Sequence, residues 1–515
     1  MQSQSLKDNS KLSRFELAIL VLSATVTITL VSASSPLYPY NPWDDANCFF
    51  TLGRGIIHGY VPYRDLYEQK GPLLYFIYAL AALISEKSFI GSWIAECISA
   101  SLFAVFSWKT TKLFIDPSKY AIAVMPLFLG LVYTTGMFNF GGNAEELCFP
   151  LLTIALYFGF KAIIKGDGLP ANKEAMFIGL FTGIVFWIKY TFIGFFAGFC
   201  LYILMLTIRR KSFLRLWSLV WRYVAGFLVI TIPILIYFAA NKALGALWEA
   251  YFYNNMFLYH SGVKATGLAA IPVIKNIYIP VISIASLAKE YPSYGIMLVF
   301  SLISLMFTGK NHRQKTIGLF LITFALSIGV VFTRMVLIYY YGYILAYCFC
   351  LVLIPAVKLL NYIEKASKRN PSFIKGFAAF GLLVIYIFTI IADKNMYLMF
   401  KPKDYLAQYR MADTINQTPD AKILTYDVMD AGFYTAAGLM PVNRFYCYLN
   451  IELTYPAILE EQNRLIEEGY YDYIITTYFC KAEWDNYELI QEETVFCIDY
   501  TGEGFLEGFK LYKKI

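Results

Sequence analysis

The stretch "AMFIGLFTGIVFWIKYTFIGFFAGFCLYILMLTIRR", residues 175–210, decides the fold. Between Glu174 and Arg209 its one charged residue is Lys189. A hydrocarbon core of roughly 30 Å needs about 20 apolar residues to cross. Read as two spans, 175–188 and 190–208, the stretch turns tightly at Lys189, although the first member is short. Read as one long helix, it inverts the parity of everything downstream.

Charge decides between the two readings, because short cytoplasmic loops carry an excess of Lys and Arg. Apolar runs lie near 15–36, 90–108, 120–138, 146–164, 175–188, 190–208, 217–240, 292–309, 316–333, 337–357 and 373–392. With Lys7, Lys11 and Arg14 on the inner side, alternate loops should also be basic. They are: Lys109, Lys112 and Lys119; Lys161, Lys165 and Lys173; Arg209, Arg210, Lys211 and Arg215; Lys310, Arg313 and Lys315; Lys358, Lys365, Lys368, Arg369 and Lys375. The agreement requires that "GPLLYFIYALAALIS" (71–85), short for a span, stay juxtamembrane or re-entrant. The 270–288 region, with Lys275 inside it, is treated the same way. The expectation is an α-helical polytopic membrane protein of about eleven spans, with juxtamembrane helices and the C-terminal tail outside.

Composition agrees. Hydrophobic residues make up 58% of 515 positions and charged ones 15%, against roughly a quarter charged in soluble domains. The mean hydropathy of +0.54 is diluted by a polar stretch from about residue 400, which divides the chain into a membrane domain (1–395) and a soluble domain (402–515). The net charge of +7 comes from short clusters between apolar runs. That pattern sets topology and is no nucleic-acid patch. Nine cysteines without metal-type spacing argue against a disulfide framework or a zinc site, and Cys447, Cys480 and Cys497 in the tail read as buried thiols. The run at 15–36 lacks a convincing small-residue cleavage site and reads as an uncleaved first helix.

With this topology the ionisable residues gather at the outer rim. Asp44, Asp45, Arg54, His58, Arg64, Asp65, Glu68 and Lys70 fall in the first outer loop, and Asn143, Glu145 and Glu146 in the second. Lys189 is at the third, Asn254, Asn255, Tyr259 and His260 in the fourth, and Arg334 in the fifth. Charges at a membrane boundary are costly unless paired or functional, so this rim is where an active site is expected. In "NPWDDANCFF" (41–50) Asn41 suits a helix cap, Pro42 the first position and Asp44 the first turn. Carboxylates there are also what the helix dipole favours, so a structural and a chemical role both stand. The helix that follows carries Phe49, Leu52, Ile56 and Ile57 at near-helical spacing, which predicts an amphipathic element lying on the bilayer.

The order of these pieces, an acidic pair after the first span, an amphipathic helix and then "GYVPYRDLYEQKGPLLYFIYAL", resembles the membrane-embedded GT-C glycosyltransferases. The similar group is that of the protein O-mannosyltransferases and aminoarabinose lipid A transferases, the glycosyltransferase 39-like branch. The family's D-[DE]-A segment reads Asp44-Asp45-Ala46 here, and its Glu-Lys-Pro-Pro-like segment reads Glu68-Gln69-Lys70-Gly71-Pro72, with one extra residue before the lysine. "GNAEELCFPLLTIALYFGFK", "GLFTGIVFWIKYTFIG" and, more weakly, "TRMVLIYYYGYILAY" extend the resemblance to about residue 395.

The resemblance implies an inverting transfer of a sugar from a polyprenyl-phosphate carrier to an acceptor at the outer face. An attacking hydroxyl must lose its proton to a base, and Asp44 is the implied base, with Asp45 supporting the site or binding acceptor. The leaving lipid phosphate needs cations, and Lys189, Arg334 and Lys70 match. A snorkelling role for Lys189 remains open. A divalent metal is implied at Glu68, with His260 near the position of the family's fourth-loop ligand, where Asn254 and Asn255 stand instead. Glu145, Glu146, Asn255 and Tyr259 are the implied substrate contacts. The tyrosine-rich "YYYGY" (339–343) suits interfacial anchoring as well as substrate contact.

In the tail, "AKILTYDV", "DAGFYTAAGL", "NRFYCY", "PAILEEQNRLIEEG" and "DYIITTY" alternate strand-like and helical patterns, which predicts a small α/β domain. No Gly-rich phosphate loop follows a strand there, so no nucleotide cofactor is expected. The reading is a multi-pass enzyme of the bacterial plasma membrane, with its site and tail outside. It takes a polyprenyl-phosphate-linked sugar and a cell-envelope acceptor, in contact with membrane lipid and without nucleic acid. The rival is a transporter or flippase of lipid-linked sugars, which should bury ionisable groups near the midplane and often shows repeated halves.

Overall fold

The computed structural model describes residues 11–258, 272–307, 309–331, 339–366, 371–452, 454–498 and 503–515. The chain opens with α1 (Arg14–Val31), α2 (Asp44–Ile57), α3 (Pro72–Ile84), α4 (Ile90–Phe114), α5 (Met125–Tyr133) and α6 (Ala144–Lys165). Next come α7 (Asn172–Lys189), α8 (Ile193–Arg209) and α9 (Phe213–Ala240). By length and composition seven stretches among the described residues can cross a membrane: α1, α4, α6, Asn172–Arg209, α9, His312–Val330 and Tyr340–Lys365. Large apolar side chains such as Leu83, Leu214 and Trp217 are exposed on the bundle, as lipid-facing side chains would be.

Asn172–Arg209 is two helices. A 3₁₀ turn at Tyr190–Phe192 follows Lys189, whose backbone is extended (φ −154°, ψ 95°), so the hydrogen-bond ladder breaks at the one charged residue. Packing gives the directions. Arg215 Nη1 reaches Asn172 Oδ1 at 2.6 Å and Trp187 Nε1 reaches Thr231 Oγ1 at 2.9 Å, so α7 and α9 start together and end together. They are drawn close by glycines: Gly183 faces the backbone of Phe227, and Gly226 that of Met176. In contrast, Gly194 faces Leu326 and Gly198 faces Ile322, which sets α8 antiparallel to helix Lys310–Val331. The chain therefore runs up α7, down α8 and up α9, as the charge pattern predicts.

Two expectations for the first loop change. The helix begins at Asp44 with Trp43 as its cap residue and no side-chain cap bond. Asn41 Oδ1 instead accepts from the Trp43 N–H at 2.9 Å, one step earlier. Nor does α2 lie on the bilayer. Residues Ala46–Gly55 are all buried, because α3 covers one face and the C-terminal domain the other. Gly53 sits against the backbone of Tyr78 and Ala79, while Thr51 donates to Asp430 and Arg54 to the Tyr434 carbonyl at 3.2 Å. The polar face that an interfacial helix would give to water is taken by protein.

That domain has a four-stranded sheet ordered β1-β2-β4-β3, built from β1 (Ile423–Thr425), β2 (Tyr473–Thr477), β3 (Tyr487–Ile498) and β4 (Gly504–Lys514). β1 pairs parallel with β2, and the other two pairings are antiparallel. Helices Ala407–Ile415, Phe433–Ala437 and Ala457–Glu467 complete it. "NRFYCY" forms no strand, and its Cys447, like Cys480 and Cys497, is a free, buried thiol.

Candidate active site

At the end of the bundle where α7 stops and α8 begins, a cavity of about 290 Å³ opens. Asp45, Glu68, Gln69, Lys70, Lys189 and Asn255 are among its lining residues. The α2–α3 connection supplies the first charges. Lys70 Nζ lies 3.4 Å from Asp45 Oδ2 and 3.8 Å from Glu68 Oε1. The loop holds itself in shape: Glu68 Oε2 accepts from the Lys70 N–H at 2.7 Å and from Tyr75 OH, and the Lys70 carbonyl accepts from Tyr63 OH at 2.6 Å. Gly71 then donates its N–H to the Ile188 carbonyl at 3.0 Å and packs against the Trp187 carbonyl. Without a side chain there, the loop and the end of α7 come into backbone contact, and Lys70 is brought beside Lys189.

Lys189 is 7% exposed. Its ammonium pairs with Glu145 and lies over the rings of Tyr341 (4.2 Å) and Tyr340 (5.0 Å). Such an interior cation is pre-placed rather than snorkelled. The break itself is capped by Tyr251, whose hydroxyl accepts from the Tyr190 N–H at 3.1 Å. Tyr251 belongs to a π-helix, Trp248–Leu258, a form that recurs at functional sites. In the same element Asn255 Nδ2 donates to the Gln69 carbonyl at 2.7 Å.

The acidic pair divides. Asp45 faces the cavity and Lys70, whereas Asp44 faces the C-terminal domain. Asp44 as a residue is half-buried, but protein surrounds its carboxyl group, and burial, then Glu507, Asp45 and Asp430, push that group well above the usual carboxylate range. The expected order, Asp44 as base with Asp45 in support, is thus reversed in the geometry: a carboxyl held protonated is no base, and it does not line the cavity. Glu145 reaches the site only through Lys189. Glu146, one residue on and about 100° round the helix, is turned away toward Glu96. Neither lines the cavity, so neither is in place to orient a sugar. Arg334, Tyr259 and His260 lie outside the described residues.

The expected metal finds little support in these side chains. Both oxygens of Glu68 face protein donors, Tyr75 and Lys70, and no group of three or more His, Cys, Asp or Glu among the described residues is arranged to hold an ion. No step below passes through a metal.

Sequence reasoning missed the roof. Met429, Leu449 and Asn450 of the C-terminal domain line the cavity, and the domain is fastened there by Arg444, which donates to the Tyr63 carbonyl at 2.8 Å and pairs with Glu249 at 3.0 Å. Residues so distant in sequence leave no local signal. Tyr340 and Tyr341 were visible only as aromatics at an interface.

With this geometry described, likeness to known proteins can be weighed. Residues 69–237 match the family model of dolichyl-phosphate-mannose-protein mannosyltransferases. Over 96% of this chain and 97% of the other, the fold is similar to that of ArnT from Cupriavidus metallidurans bound to undecaprenyl phosphate (TM-score 0.54, 12% identity). This chain is a GT-C glycosyltransferase. The apo structure of ArnT matches the glycosyltransferase equally (TM-score 0.54, 11% identity, the same coverage). No curated protein matches its sequence.

Proposed function

We propose that this glycosyltransferase moves a sugar from a polyprenyl-phosphate donor to an acceptor of the cell envelope, with inversion at the anomeric carbon, using Asp45 as the base. One observation carries the reading: Asp45, Lys70 and Lys189 share a single cavity at one end of an apolar bundle. The acceptor hydroxyl attacks the anomeric carbon and gives its proton to Asp45, while the bond from that carbon to the phosphate oxygen breaks. The electron pair leaves with the lipid phosphate, and Lys70 and Lys189 stabilise its charge. Glu68 and Glu145 hold the two ammonium groups in position before the donor arrives. Ile188, Met256 and Val330 on the same wall offer the apolar surface that a polyprenyl chain needs.

An outward-facing site is supported by the charge at the opposite end of the bundle, where Lys112, Lys165, Arg209, Arg210 and Lys211 terminate their helices. The C-terminal domain then lies outside, above the acceptor. The flippase reading has no observation in its favour.

The test is complementation of a deletion strain, read by mass spectrometry of its envelope glycans and by product yield in membranes. Asp45→Asn is expected to lower the yield by about 10²–10⁴, and Asp44→Asn by less than tenfold. The reverse result would move the base to Asp44. Near-normal transfer by both variants would remove the acidic pair from the chemistry.

A further inference from the structure

Away from the cavity, a second acidic pair lies between α4 and α6. Glu96 is 1% exposed and Glu146 fully buried, and the two carboxylates are neighbours. Glu146 Oε2 accepts from the Gly142 N–H at 3.2 Å. Its Oε1, and both carboxylate oxygens of Glu96, have no hydrogen-bond partner. Ser32 and Ser34 stand near Glu96 without hydrogen-bonding geometry to either oxygen. No Lys or Arg is among the charges acting on the pair.

The orphaned oxygens do not end there. Tyr133 OH and Tyr343 OH, fully buried and turned toward the same two carboxylates, are also without partners, as is Ser92 Oγ. A cavity of about 10 Å³ touches Tyr78, Ser92, Glu96 and Gly142. That is room for one water-sized body and too little for a hydrated ion. The Gly141–Gly142 turn closes the place: both glycines have positive φ (83° and 82°), and a Cβ on Gly141 would stand 2.6 Å from Ser32 Oγ and 2.8 Å from Glu96 Oε2. Buried carboxylates with nothing to balance them are among the costliest groups in a protein interior.

We propose that Glu96 and Glu146 hold one dehydrated, oxygen-ligated divalent cation of the calcium class, with the Tyr133 and Tyr343 hydroxyls and the Gly141–Gly142 turn around it. Two carboxylates neutralise such an ion. The other groups offered are all oxygens in an irregular array, which calcium accepts and magnesium, with its octahedral shell and retained waters, does not. The ion has work to do at this point in the fold. It joins α4 and α6 to the turn whose Gly141 carbonyl accepts from Asn41 Nδ2 at 3.2 Å, and Asn41 also donates to Ser34 at 2.9 Å. Asn41 in turn fixes the start of α2, so the cation braces the segment that presents Asp45. The site stands whether or not the proposed transfer is right.

The experiment uses the full chain in detergent, stripped with a chelator and desalted, with thermal midpoint and bound metal per chain measured as calcium is added. Calcium is expected to raise the midpoint by several degrees at one ion per chain, and magnesium or sodium at the same concentration by less than a third as much. Glu96→Gln and Glu146→Gln should abolish the response, and Glu68→Gln, in the active-site loop, should keep it. Tyr133→Phe with Tyr343→Phe, which alters no charge, should weaken calcium at least fivefold and serves if the glutamine variants do not fold. No response in the natural chain would mean that the pair shares a proton or holds water. A response surviving in the Glu96 and Glu146 variants would put the ion elsewhere, and an equal response to magnesium would remove the calcium class. Each of these three results overturns the proposal.

Discussion

Asp430 should make docking of the C-terminal domain weaker as pH rises. Its carboxyl is fully buried, accepts from Thr51 of α2 and from the Gly432 N–H at 3.0 Å, and burial pushes it up to about 6 from 3.8. Between pH 4 and 6 the folded chain therefore keeps a proton that the unfolded chain has lost. Stability follows the difference in bound protons, so it falls through this window and is level above it. The full loss is about 3 kcal/mol, from roughly 1.4 kcal/mol for each pH unit separating the folded and unfolded values. Asp430→Asn carries no charge and can keep both hydrogen bonds. We expect its apparent thermal midpoint at pH 7.5, measured by tryptophan fluorescence at a fixed scan rate, to equal or exceed that of the natural chain, with a flatter decline between pH 4.5 and 6.5. Glu452, pushed up to about 7 by burial, adds slope of the same sign to both proteins and cancels in the difference. A variant more destabilised at pH 7.5 than at pH 5, relative to the natural chain, would refute the reasoning. It would mean that the ionised form, through Arg54, is the favoured one.

Gly71→Ala would drive a methyl group into the Trp187 carbonyl. It should part Lys70 from Lys189, lower the midpoint by the equivalent of about 1–3 kcal/mol and abolish transfer, both measurable on purified protein. Lys189→Met leaves Glu145 buried without its cation and should cost about 3–5 kcal/mol. Adding Glu145→Gln should recover most of that stability and none of the activity, so recovery of both would remove Lys189 from the chemistry.

The spans and their directions were legible because charge is a global constraint: moving one boundary misplaces every later basic loop, and the break at Lys189 fell where the charge was. The first-loop residues were legible because a dozen residues of local pattern carry them. What was not legible depended on distant neighbours. The apolar spacing of Phe49, Leu52 and Ile56 predicted a surface helix, since no local feature says that residues 430–435 will cover its other face. Which of two adjacent carboxylates faces the cavity depends on 100° of helix rotation, which tertiary contact sets. The same uncertainty separates Glu145 from Glu146. Glu96 carried a signal that went unread: a carboxylate inside an apolar span is costly unless it has a task. The long β3–β4 hairpin was also missed, although "YELIQEETVFCI" (487–498) has the branched and aromatic residues of a strand.

The burial of α2 between two domains also has a consequence in time. Thr51 and its partner Asp430 are 379 residues apart. A chain made at about 5–20 residues per second leaves the helix without that partner for roughly 20 to 80 s of synthesis. For that interval Phe49, Phe50 and Leu52 have a growing membrane bundle beside them and no domain above. The apolar spacing that misdescribes the finished position of α2 describes its waiting position well, resting against lipid until the last fifth of the chain arrives to cover it.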